Sequence, residues 1–193
     1  MNTRAQLSGL YPHMAPADAP AQEPAALHAG LLDAVRLKAE DSVAVKQRFF
    51  ASEASRIVQA ARMLAQSFRV GGRLYTLGNG GSSCDAAHLA VEFQHPVTAG
   101  RPALPAVNLS QDMAMITAVA NDVGFVHVYT RQVLAHVGEH DCVVAISTSG
   151  NSENLLAGLG AAKRRGAATL GLAGGTGGRM ATSADLDLCL VVP

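Results

Sequence analysis

His88 and Glu92 stand four residues apart in the run GSSCDAAHLAVE, whose helical pattern puts both side chains on one face. A partly desolvated carboxylate in such a pair can accept a carbon-bound proton. The imidazole beside it can serve as a metal ligand or as a hydrogen-bonding electrophile. The same spacing is also that of a solvated helix-face pair, and one carboxylate with one imidazole is too few for a closed zinc site. Just upstream, the apolar run Leu74 to Leu77 reads as a buried strand that breaks into Gly78-Asn79-Gly80-Gly81-Ser82-Ser83. Strand, glycine-rich turn and helix together present backbone N–H groups and a helix N-terminus to an anion. Ser82 and Ser83 can cap that helix or donate hydroxyls to phosphate oxygens. A second turn, Ser147-Thr148-Ser149-Gly150-Asn151-Ser152, puts four hydroxyls in six residues between another strand and helix. It can surround a phosphate without a metal or a lysine, or be an ordinary polar N-cap turn. Cradle and His/Glu pair together point to proton chemistry on a phosphorylated small molecule.

The Gly78 turn is neither of two familiar nucleotide motifs. Ser83 stands where a dinucleotide fingerprint has its third glycine, and the GK[ST] of a P-loop is absent. Asn121-Asp122 is a simple turn or a pair of polar groups reaching a sugar hydroxyl. No spacing logic joins His127, His136 and His140, which read as surface residues.

The elements that must position these groups follow from periodicity. Residues 1–24, with Pro12, Pro16, Pro20 and Pro24, read as a proline-rich N-terminal tail. The rest, 25–193, reads as one domain that opens with a helical segment over 25–70. That segment is expected as two long helices with a break near Ser52, the second ended by Gly71-Gly72. Five strands are expected, at Leu74–Leu77, Pro105–Leu109, Cys142–Ile146, Ala168–Ala173 and Leu186–Val192, with helices between them. Such alternation means a three-layer α/β/α sandwich around a parallel sheet, and ligands beyond the carboxyl ends of its strands.

Composition bounds the rest. The 193 residues suit a single domain with a full core, 49% apolar and 16% charged. Fifteen basic residues balance fifteen acidic ones, giving no electrostatic reason to expect nucleic acid or a membrane surface as a partner. Three widely spaced cysteines without a CxxC fit reduced thiols in a cytoplasmic protein. Neither a signal peptide nor a membrane-spanning apolar run is evident.

Taken together, GNGGSSCDAAHLAVEF, the Asn121-Asp122-Val-Gly-Phe125 segment and AISTSGNSENLL resemble the sugar isomerase (SIS) domain family, and within it the phosphoheptose isomerases. The resemblance runs from about Ala25 to Pro193. It implies a flavodoxin-like SIS fold with a five-stranded parallel sheet, and a homotetramer (or homodimer) with active sites between subunits. The implied activity is interconversion of sedoheptulose 7-phosphate and D-glycero-D-manno-heptose 7-phosphate through an enediol(ate). By position, Asn79, Gly80 and Gly81, with Ser82 beside them, match the first substrate-binding turn. Ser147, Thr148, Ser149 and Ser152 match the phosphate loop, and Asn121 and Asp122 a further substrate-binding pair. His88 and Glu92 match two zinc ligands and the acid/base apparatus, Glu92 as the catalytic base. Family members continue past the fifth strand into a helix bearing an arginine-isoleucine-glutamine-glutamate motif and a later histidine. That glutamine and histidine complete the metal site, and the histidine is the general acid. The present sequence reaches Pro193 at the end of the fifth strand, so half of the ligand set falls within it. The sheet face under that helix is expected to be covered by the proline-rich segment or by a neighbouring subunit. A second function in keeping with the same motifs is a non-catalytic phosphosugar-binding or protein-interaction module, like the SIS proteins that associate with the replication initiator DnaA.

Overall fold

The computed structural model describes residues 24–97 and 100–193. The expected proline-rich tail, residues 1–24, lies outside the described residues except for its last position. The chain divides into two units, Met1–Ala44 and Val45–Pro193. The described part of the first unit is helical throughout and exposes Leu31, Leu32, Val35, Leu37 and Val43.

Helix α1 spans Pro24–Arg69 without a break, where two helices were expected. Ser52 does not cap a new helix. Its hydroxyl donates instead to the carbonyls of Arg48 (3.0 Å) and Phe49 (3.2 Å), so it is satisfied inside the ladder. Pro24 opens the helix where its missing N–H costs nothing. The expected end at Gly71-Gly72 is observed. Gly71 is left-handed at φ 84°, the Gly71 N–H bonds the Phe68 carbonyl, and the Gly72 N–H bonds the Ser67 carbonyl, a Schellman closure.

Five strands follow: β1 (Leu74–Gly78), β2 (Ala106–Asn108), β3 (Cys142–Ser147), β4 (Ala168–Gly174) and β5 (Leu188–Val192). Between them come α2 (Gly81–Gln94), α3 (Met113–Asp122), a 3₁₀ turn (Phe125–His127) leading into α4 (Val128–His136), α5 (Glu153–Arg164) and a four-residue α6 (Gly178–Ala181). The short α6 was not foreseen, because Gly177-Gly178 and a four-residue span carry no periodic signal. All pairings are parallel, in the order β2-β1-β3-β4-β5. This order reverses direction between β1 and β3, and at such a switch point the two following loops part to leave a crevice. The two loops are the Gly78 turn and the Ser147 loop.

The side-chain period of two divides the core between the sheet faces. Tyr75, Leu77, Val143 and Ala145 face a cluster with Val128, Tyr129 and Val133 of α4 and Leu155 and Leu159 of α5. Leu74, Cys142, Val144 and Ile146 face Ala86 and Ala90 of α2 and Ala60, Met63, Leu64 and Phe68 of α1. Two buried polar groups tie the sheet together. The Thr76 hydroxyl donates to the Ala86 carbonyl (2.7 Å) and accepts from the Asn108 amide (3.0 Å), tying β1 to α2 and β2. Cys84 is exposed; Cys142 and Cys189 are buried free thiols. Burial, with Asp187 and Asp141 adding to it, pushes the Cys142 thiol up to about 12, which makes it an inert packing group.

Asp187, just ahead of β5, fastens that edge. Its carboxylate accepts the Thr169 N–H (2.9 Å), the Thr169 hydroxyl (3.1 Å) and the Lys163 ammonium. Burial alone would raise its carboxyl, but the Lys163 and Thr169 bonds outweigh burial and hold it below the ordinary aspartate value. A folded-state value below the unfolded one stabilises the fold above about pH 4, and that stabilisation is lost as pH falls through the folded value. Thermal melts across the acid range should therefore fall less steeply for Asp187→Asn than for the parent, with the Asn variant less stable near neutrality. Parallel curves would remove Asp187 from the acid limb.

Candidate active site

Four of the six residues of the Ser147 loop line a cavity of about 200 Å³ together with Asn79, Ser82, Ile146 and Leu155. Sequence reasoning placed Asn79 and Ser82 in one turn and Ser147, Thr148, Ser149 and Ser152 in another. The fold brings all six to one hollow, because β1 and β3 are neighbours and both loops leave their carboxyl ends. A second hollow of about 170 Å³ continues from it over the ends of β4 and β5, sharing Ser82, Ser147 and Thr148 and adding Asp85.

The loop is shaped by its own bonds. The Gly150 N–H reaches the Ser147 carbonyl (3.2 Å) and hydroxyl (3.1 Å), and the Asn151 N–H reaches the Ser149 hydroxyl (3.2 Å). Ser152 occupies the N-cap of α5, yet its side chain makes no capping bond and lies 3.4 Å from the Ser147 hydroxyl. An ordinary capping serine would spend its oxygen on the helix. Here the hydroxyls of Ser147 and Ser152 lie side by side at the N-terminus of α5, an arrangement suited to an oxyanion.

The first turn differs from expectation in one respect. The N-cap of α2 is Gly80 (φ 53°), not Ser82 or Ser83, so no side chain caps this helix either. Ser83 sits inside the first turn and donates its hydroxyl to the Gly80 carbonyl (2.6 Å), leaving Ser82 as the serine that lines the cavity. Gly78 must be glycine because an added Cβ would meet the Ser82–Ser83 backbone, with the Ser83 nitrogen at 2.9 Å.

Beneath the turn lies a polar layer that sequence reasoning missed. Asn79 and Asn154 exchange paired amide bonds, Asn79 Nδ2 to Asn154 Oδ1 at 2.8 Å and Asn154 Nδ2 to Asn79 Oδ1 at 2.9 Å. Tyr129 donates to the Gly78 carbonyl and reaches Asn79 Oδ1 at 3.4 Å, while Ser110 bonds both the Tyr129 hydroxyl (3.1 Å) and the Gly78 carbonyl (3.1 Å). Burial outweighs the Ser110 and Gly78 bonds and raises the Tyr129 phenol, which keeps it a proton donor at neutral pH. Asn154, 3% exposed, thus locks the first turn to α5. Its only sequence signal was an asparagine directly ahead of the apolar Leu155-Leu156 pair of α5.

His88 and Glu92 lie further along α2, with Nε2 3.1 Å from Oε1 and their side chains 74% and 43% exposed. They do not line the two hollows, and packing within the chain leaves the Glu92 carboxylate half-buried. Arg101 holds the end of their helix, donating to the Phe93 carbonyl (3.3 Å) and to that of Glu92, with its guanidinium 5.6 Å from the Phe93 ring centre. Asn121 and Asp122 close α3 and bond each other (2.8 Å) at an exposed position outside the same hollows. A zinc ion would find two donors in His88 and Glu92. Among the described residues no group of three or more His, Cys, Asp or Glu converges, so these residues fit half of a four-coordinate site. A larger cavity, about 610 Å³, lies at the amino ends of β3 and β4 between Arg62, Met63, His140, Lys163 and Asp187. That is the end of a parallel sheet where substrates do not bind.

A SIS domain model matches residues 39–174. A phosphoheptose isomerase of Desulfovibrio desulfuricans is 46% identical over 150 residues, covering 78% of this chain and 71% of the relative. The chain belongs to the SIS domain family, among the phosphoheptose isomerases. The solved phosphoheptose isomerase of Francisella tularensis superposes with a TM-score of 0.79 at 34% identity, covering 84% of this chain and 85% of that one. The phosphoheptose isomerase from Neisseria gonorrhoeae gives 0.77 at 36% identity, covering 84% and 86%. The three-layer α/β/α architecture with five parallel strands is therefore that of phosphoheptose isomerase structures, as the sequence led one to expect.

Proposed function

We propose that this chain is a phosphosugar aldose–ketose isomerase acting on sedoheptulose 7-phosphate or a similar sugar phosphate. The observation that carries the reading is the convergence of the Asn79–Ser82 turn and the Ser147–Ser152 loop on one hollow at the sheet's switch point, with a carboxylate retained on the helix that leaves the first turn. The loop binds the phosphate and so fixes where the sugar carbons lie. Asn79, Gly80, Gly81, Ser82, Asn121 and Asp122 contact the sugar. Glu92 removes the proton beside the carbonyl and returns it to the adjacent carbon by way of a cis-enediol(ate). His88 donates to the oxygen on which charge develops. Zinc, when bound, would stabilise that same charge as a Lewis acid with His88 and Glu92 among its ligands. The described residues furnish only those two donors.

The assembly and setting that the family resemblance implies extend the reading. A cytoplasmic homotetramer is supported by the free thiols and by exposed apolar side chains on Phe50, Val107, Met113 and Phe125. A partner subunit laid over α2 would complete the desolvation of the half-buried Glu92. None of the described helices is long and apolar enough to cross a membrane. The non-catalytic alternative is not favoured, because relatives at 42–46% identity are isomerases and a pure binder has no need of a carboxylate at position 92.

The test is product formation. Sedoheptulose 7-phosphate incubated with the 193-residue chain, with and without zinc, should yield the aldose heptose 7-phosphate. Unphosphorylated sedoheptulose should not react. Phosphosugar binding without any product under either condition would replace the enzyme reading with the binding-module one.

A further inference from the structure

The second glycine turn, 174–178, and the short helix α6 after it have no part in the function proposed above, yet they are built against the phosphate loop. The Gly174 N–H donates to the Thr148 carbonyl (3.1 Å), and the Met180 N–H donates to the Gly150 carbonyl (3.0 Å). The Asn151 side chain bridges the two segments, donating to the Ser149 carbonyl (3.0 Å) and accepting the Arg179 N–H (3.0 Å). Three glycines allow this approach. A Cβ on Gly174 would lie 2.8 Å from the Thr148 carbonyl, one on Gly178 2.7 Å from Asn151 Oδ1, and one on Gly150 inside contact with the Gly177 carbonyl.

This contact carries charge as well as shape. Glu153 is the first residue of α5, immediately after Ser152, which places a negative charge one residue beyond the last serine of the loop. A sugar phosphate is close to a dianion at neutral pH and would be repelled there. The Arg179 guanidinium lies 3.7 Å from the Glu153 carboxylate, with the two side chains 63% and 74% exposed. We propose that Arg179, held by the 174–181 segment against the phosphate loop, is a positioning residue that neutralises Glu153 and so sets the affinity of the loop for the phosphate group of the substrate. This rests on the reading of 147–152 as the phosphate cradle.

The effect should be on binding rather than chemistry, and it should be electrostatic. An exposed pair of this kind is worth little to the fold, so Arg179→Met should melt within a degree or two of the parent. Its KM for sedoheptulose 7-phosphate should rise about three- to tenfold with kcat unchanged, and the increase should shrink as salt is raised through about 0.5 M. Arg179→Lys should restore most of the loss. The double variant Glu153→Gln/Arg179→Met should return to near the parental KM, because with the carboxylate gone the cation has nothing to offset. Ser152→Ala, assayed alongside by calorimetric titration of the same ligand, reports on the cradle itself. If Ser152→Ala weakens binding while Arg179→Met does not, or if the double variant loses as much as Arg179→Met, the charge role is wrong and the cradle stands. If neither substitution alters binding, the cradle assignment falls and the role of Arg179 with it.

Discussion

Glu92→Gln should lower turnover of the sugar phosphate by about a thousandfold or more while leaving its binding within a few-fold of the parent. The change is isosteric and removes only the ability to take a proton, and general-base catalysis by a positioned carboxylate contributes typically about 10²–10⁴ in rate. Because the Glu92 side chain is 43% exposed and its neighbour His88 is 74% exposed, the substitution should cost the fold no more than about 0.5 kcal/mol. Kinetics and calorimetric titration on one preparation read both quantities. A Gln variant that turns over at a tenth of the parental rate would move the base to another residue. One that no longer binds would make Glu92 a ligand contact rather than a base.

Gly150→Ala should be the most damaging single methyl that can be added near the site. Gly150 has φ 64°, where an L side chain is strained, and its Cβ would press into the Gly177 carbonyl. Neither partner is free to withdraw, since the Gly177 N–H is bonded to the Gly174 carbonyl (2.9 Å) and the Gly150 carbonyl accepts from Met180. Backbone strain of about 1 kcal/mol and overpacking of about 1–3 kcal/mol together give about 2–4 kcal/mol, which for a chain of this size is a fall in Tm of about 5–15 °C. Gly175→Ala separates the two contributions. Gly175 has φ 61° but open space around its Cβ position, so its cost should be only the strain. Equal melting temperatures for the two variants would show that the contact between loops is not the source of the loss. Phosphosugar affinity should fall in Gly150→Ala and not in Gly175→Ala.

The sheet was legible because its strands are short apolar runs punctuated by glycine and hydroxyl residues, and a parallel sheet buried on both faces leaves little else for such runs to do. The end of α1 was legible for the same local reason, since Gly71-Gly72 closes a helix by backbone geometry alone. The unbroken course of α1 was not, because Ser52 is as good an N-cap as a helix interior residue, and only the Arg48 and Phe49 carbonyls decide between the two. Both loops of the site were legible from composition, but their union was a matter of strand order, which no local signal carries. The layer of Asn154, Tyr129 and Ser110 under Asn79 escaped because each of these residues is unremarkable in its own segment, and its role exists only across 19–75 residues of sequence separation. The distance of His88 and Glu92 from the hollows follows from helix rise. At about 1.5 Å per residue, His88 and Glu92, seven and eleven residues beyond Gly81, stand about 10 Å and about 16 Å along α2 from the turn.

The measurement that bears most directly on the proton-transfer account is deuterium uptake followed by NMR. The 193-residue chain is incubated with sedoheptulose 7-phosphate in D₂O, with and without zinc, beside Glu92→Gln. A proton that Glu92 captures from the substrate and exchanges with D₂O before returning it leaves deuterium in its place. Deuterium should therefore appear on the carbon next to the carbonyl in the parent and not in the Gln variant. Deuterium uptake, or aldose formation, undiminished in the Gln variant would contradict proton abstraction by Glu92.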